Sequence, residues 1–130
     1  MAQTTSIFAD QPTPRADGEL VTKAALRAPE RLGLSSKELA RILGLSESTV
    51  SRMSAGNYAL TPDQKPYELA LLFVRLYRSL DSIVGGEAAV AKACLRARNS
   101  ALGDAPLARI MKIAGLTESI AYLDARRAAV

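Results

Sequence analysis

The sequence has no histidine, no tryptophan and a single cysteine, Cys94, among its 130 residues. Without histidine there is no imidazole to serve as base, metal ligand or switch near neutral pH. One cysteine cannot close an intramolecular disulfide. In the run AAVAKACLRA, Cys94 reads as a small buried hydrophobe rather than a nucleophile. No glycine-rich phosphate loop and no metal-ligand spacing is present, so neither enzymatic activity nor a metal or cofactor is expected. Aromatic residues are scarce, at 5%. No apolar run approaches the roughly 20 residues that would span a bilayer. The start, MAQTTSIFADQPTPRADG, has neither the basic opening nor the apolar centre of a signal peptide, and a cytoplasmic location is the expectation.

What is abundant is alanine, leucine and arginine, in a chain that is 48% hydrophobic and 23% charged. These are helix formers, and β-branched runs are short, so the expected fold class is all-α. The formal net charge is +4. Seven basic residues face six acidic ones before position 61, and ten face seven after it. This mild excess is compatible with a nucleic-acid partner, but it is not concentrated in the stretch from Gly44 to Gly56.

Residues 1–17, with two prolines and little apolar content, read as a flexible tail. A helical pattern starts near Gly18 and runs through Leu20, Ala24, Ala25 and Leu32, with Pro29 expected to kink or split it. Ser35 and Glu38 have capping-box spacing and open a second helix, SSKELARILG, which buries Leu39, Ile42 and Leu43 and stops at Gly44. Ser46 caps a third helix carrying Val50 and Met53, ended by Gly56. Thr61 and Pro62 are expected to start the long helix PYELALLFVRLYRSLDSIVGG, apolar around most of its circumference apart from Glu68, Arg75, Ser79 and Ser82. Three shorter helices are expected at about 87–98, 106–114 and 117–127, with Asn99, Gly103 and Asp104 making a turn before Pro106 and a second turn at Gly115-Leu116-Thr117.

Two capped helices joined by a one-glycine turn form a helix-turn-helix unit. Ala40, Gly44, Leu45, Val50 and Met53 carry its closely resembled pattern, that of the Xre or phage-repressor type of DNA-binding domain, over about residues 20–66. An unliganded αα-hairpin is the plainer alternative. In such domains the second helix enters the major groove. The resemblance places Glu47, Ser48, Ser51 and Arg52 on the groove face, and Ser36 and Thr49 against phosphates. Arg52 is the strongest reader, because a guanidinium bonds guanine O6 and N7 together. Glu47 is repelled by phosphates, so useful affinity for operator DNA requires a homodimer.

Residues 65–130 resemble the C-terminal toxin-binding domain of Xre/MbcA/ParS-type antitoxins. The matching elements are the long helix ending in Gly85-Gly86, then Asn99, Leu102-Gly103, Pro106-Leu107, Gly115 and a closing helix with Leu123. The family often has a tryptophan near the position of Cys94, which this chain lacks. The implied organisation is a tail at 1–17, an Xre-like DNA-binding domain at 18–64 and a toxin-binding and dimerisation domain at 65–130. The resemblance implies a cognate protein toxin, often of the NAD-degrading RES type, whose active site the antitoxin's C-terminal region covers, in a higher-order hetero-oligomer. Arg126, Arg127 and Val130 with its carboxylate are the inhibitory candidates, and Tyr122 the interface anchor. NAD would belong to the toxin. Two other readings are a phage-like dimeric repressor without a toxin, and a neutraliser whose helix-turn-helix is vestigial.

Overall fold

The computed structural model describes residues 13–129, which form seven helices and no strand. These are α1 (Pro14–Leu32), α2 (Ser36–Leu43), α3 (Glu47–Ser54), α4 (Lys65–Ile83), α5 (Ala88–Arg96), α6 (Pro106–Arg109) and α7 (Ile113–Ala129). The fold class is all-α, with α2 and α3 as the helix-turn-helix pair.

Helix α1 begins four residues before the expected start at Gly18. Thr13 caps it, its hydroxyl accepting from the Ala16 N–H at 3.1 Å, and Asp17 lies in the positive first turn. The expectation for residues 1–12 lies outside the described residues. Gly18 is instead a packing position. A Cβ there would stand 2.0 Å from the Leu60 carbonyl oxygen, so only glycine lets the loop after α3 approach. Thr22 fastens that approach: its hydroxyl donates to the Gly18 carbonyl (2.6 Å) and accepts from the Leu60 N–H (2.9 Å).

Pro29 does not split α1. It sits in the last turn, where a missing N–H removes only one bond, and its carbonyl accepts from Gly33 and Leu34 to close the helix end. Ala25, Ala28 and Leu32, all fully buried, hold the helix against the core on both sides of it. Burial overrides the local signal.

The next two helices follow the local code. Ser35 and Glu38 form the capping box, and Gly44 takes the left-handed conformation at φ 70°. Ser46 caps α3 by accepting from the Thr49 N–H. The start of α4 departs from expectation. Thr61 accepts from the Gln64 N–H in a turn, and α4 begins at Lys65 with Pro66, not Pro62, in its first turn. Proline tolerates that position because its absent N–H had no partner to lose.

Helix α4 is central. It packs most heavily against α7, then α1, and also touches α2 and α5. Its buried apolar residues, Ala70, Phe73, Val74, Leu76 and Leu80, join those of α1, α2, α3, α5 and α7 in one hydrophobic cluster. The turn before α6 is as expected: the Asn99 side-chain oxygen accepts from the N–H groups of Ala101 and Leu102, and α6 starts at Pro106. The expected turn at Gly115 is absent. α7 starts at Ile113 and Gly115 is buried within it, with a Cβ there falling 1.9 Å from the Arg109 carbonyl oxygen. Glycine serves a close helix approach here rather than a chain reversal.

Candidate nucleic-acid interface and C-terminal cleft

Helix α3 buries Val50 and Met53 and turns Glu47, Ser48, Ser51 and Arg52 to the surface. Ser36, at the first position of α2, is also exposed. Thr49 lies further in than these residues. It is 9% exposed, its hydroxyl lies 2.9 Å from Ser46 Oγ, and it accepts from Arg52 Nη2 at 3.0 Å. The hydroxyl thus sits behind the exposed face and orients a neighbour there. A residue adjacent in sequence to surface positions is carried inward by the 100° step of the helix.

Arg52 is held from two sides. One donor is on Thr49, and the guanidinium lies 5.7 Å from the centroid of the Tyr58 ring. A guanidinium has five N–H donors, so most of the fork remains for an acceptor such as a guanine edge. Tyr58 was not among the residues singled out from sequence. It follows the Gly56-Asn57 turn, and only the fold brings it under Arg52.

At the other end, Tyr122 and Arg126 of α7 line an apolar cleft of about 110 Å³ with Leu76 and Leu80 of α4 and Leu95 of α5. Arg126 lies over the Tyr122 ring at 5.9 Å. Arg127 faces elsewhere, onto a groove with Arg75, Arg78, Ser79 and Asp124. The two neighbouring arginines therefore serve different surfaces. Val130 lies outside the described residues. Cys94 is exposed at the cleft rather than buried. α5 covers the core with only a narrow stripe, Ala91 and Leu95, and the cysteine falls beside it.

Asp124 of α7 faces polar residues of α4. It accepts from Ser79 Oγ and from Arg75 Nη2, each at 2.6 Å. The Ser79 bond, then the Arg75 bond, holds its carboxyl below the usual carboxylate range. Arg75 and Ser79, two of the four residues of the polar stripe on α4, are thus a docking seam for α7. No group of three or more His, Cys, Asp or Glu among the described residues could hold a metal ion. No helix there is long and apolar enough to cross a membrane.

A family model described as the antitoxin Xre-like helix-turn-helix domain matches residues 14–75. That span opens with α1, contains the α2–α3 pair and runs into α4. Over that span the chain is similar to the helix-turn-helix domain of Xre-like antitoxins. Its fold is similar to a chain of the crystal structure of the M. tuberculosis MbcT–MbcA toxin–antitoxin complex, with a TM-score of 0.65 at 20% identity over 85% of this chain and 96% of that one. No curated protein matches the sequence. The matched span therefore takes in α1, the α2–α3 pair and the first part of α4.

Proposed function

We propose that this chain is an antitoxin that neutralises a cognate protein toxin with the C-terminal end of α7 and represses its own operon by presenting α3 to the major groove. The observation that carries the first part is the free end of α7. From Ala125 to Ala129 every residue is exposed, while Asp124, one position earlier, is tied to α4. The helix end therefore projects beyond its last anchoring contact, with Arg126 braced on Tyr122 above an apolar cleft. A cationic, pre-ordered helix end can enter a partner's site with little further loss of freedom. The neighbour with a solved structure comes from a toxin–antitoxin complex, and this chain shares its fold. A RES-type, NAD-degrading toxin is the partner that the C-terminal resemblance favours, with NAD bound by the toxin and no catalysis in this chain.

The exposed Glu47, Ser48, Ser51 and Arg52, with Ser36 beside them, support the second part. Glu47 opposes phosphates, so one copy binds weakly and a homodimer is needed for useful affinity. The site of action is the cytoplasm, where operon and toxin both are.

Co-expression with the product of the adjacent gene, followed by size-exclusion chromatography with mass determination, tests the reading. A stable complex with a growth-inhibiting protein is expected. Removing residues 126–130, which leaves Asp124 and its seam intact, is expected to abolish neutralisation while helix content and dimer mass stay unchanged. A truncated chain that still silences the toxin would overturn the C-terminal mechanism. A DNA-binding homodimer with no protein partner would leave a plain repressor.

A further inference from the structure

A second surface lies away from both the α3 face and the Tyr122 cleft. α1 and α4 form a groove whose apolar part contains Leu20 and Leu71. Leu71 and Arg78 also line the adjoining groove with Arg127 of α7, so the two are one continuous face. Leu20 is 63% and Leu71 45% exposed, two of the four large apolar side chains left most open. Around them stand Lys23, Arg27, Arg78 and Arg127. None of these four cations has a carboxylate partner among the described residues, and the face's one carboxylate, Asp124, is already held by Ser79 and Arg75. Leaving apolar area and unpaired charge together at a surface marks an interaction site.

The chemistry narrows the occupant. A second copy meeting this face across a two-fold axis would bring the same four cations against each other. Nucleic acid would match the cations, but two leucines offer phosphates nothing. A protein surface with an apolar knob ringed by carboxylates satisfies both halves of the patch. We infer that the α1–α4–α7 face is a second contact for the toxin, docking an acidic, apolar-centred surface of the toxin's body while the end of α7 enters its active site. This rests on the toxin-binding reading above. Because Leu20 and Lys23 belong to α1 and Arg127 to α7, a toxin seated here clamps the N-terminal helix and the C-terminal helix at once.

The test uses the full-length chain and the purified toxin. Arg27→Glu/Arg78→Glu, both exposed and unpaired, is expected to weaken toxin binding by about tenfold or more in calorimetry at low salt. Leu71→Ser should weaken it as well, with little dependence on salt, and thermal melts of both variants should match the parent. Unchanged toxin affinity in both variants, with neutralisation still lost on removing 126–130, would overturn the second contact and leave the C-terminal mechanism standing. A loss of operator affinity with toxin affinity intact would make the face a polyanion site and overturn it too. So would a shift from dimer to monomer mass in either variant, which would make it a self-contact. No complex with the parent chain would remove this inference together with the reading it rests on.

Discussion

Arg52 reaches the surface already ordered, one donor on Thr49 and its plane over Tyr58. A side chain that has lost its rotamer freedom before contact gives up less of it on binding. Arg52→Ala is expected to weaken operator binding by about 1–3 kcal/mol, if the guanidinium reads a guanine. Tyr58→Ala should produce a smaller loss in the same fluorescence-anisotropy titration, because the donor survives but its brace does not. Equal affinity in Arg52→Ala would move recognition to Ser48 and Ser51. Gly115 is a second residue where one atom decides. Its Cβ would overlap the Arg109 carbonyl, a backbone atom that cannot swing away, so Gly115→Ala should destabilise the chain by roughly 1–3 kcal/mol in urea denaturation. A neutral result would mean that α6 and α7 separate freely.

Among the elements, α7 has the most conditional attachment. Its seam on α4 combines apolar packing with the Asp124 carboxylate on Ser79 and Arg75. The Asp124 pKa is depressed in the folded state. The contribution is therefore present above the unfolded carboxylate pKa and is lost as pH falls through the lower, folded value. Asp124→Asn should flatten the fall of Tm on acidification, while lowering Tm at neutral pH, as followed by circular dichroism across the acid range. An unaltered acid profile would assign the seam to apolar packing alone. The same anchoring places the useful truncation point after Asp124: removing residues from 124 onward is expected to loosen α7, whereas removing them from 126 is not.

At the scale of the molecule, the N-terminal helix is shared property. α1 packs against α3, α4 and α5, and its buried face belongs to the same cluster as Phe73 and Leu95. The helix-turn-helix pair and the C-terminal helices therefore stand on common ground, joined further by Arg96 of α5, which bonds the Gly33 carbonyl and Glu38 of α2. Unfolding is expected as one cooperative transition, with fluorescence of the tyrosines and helix content falling together. Two separated transitions would show that the helix-turn-helix pair melts independently.

The helix-turn-helix was legible in sequence because its signals act within one turn of helix. Ser35 with Glu38, Ser46, and Gly44 satisfy or release backbone groups three or four positions away, and no distant partner is needed. The all-α class and the turn at Asn99 were legible for the same reason. Pro29, Gly115 and Cys94 were misread because each depends on what lies opposite: the core under α1, the Arg109 carbonyl and the narrow buried stripe of α5. The pairing of Arg52 with Tyr58 and the three-group seam at Asp124 join residues 6 to 49 positions apart, distances over which periodicity carries no information. Local chemistry determined where the helices of the helix-turn-helix begin and end; only packing decided which of their side chains are left free at the surface.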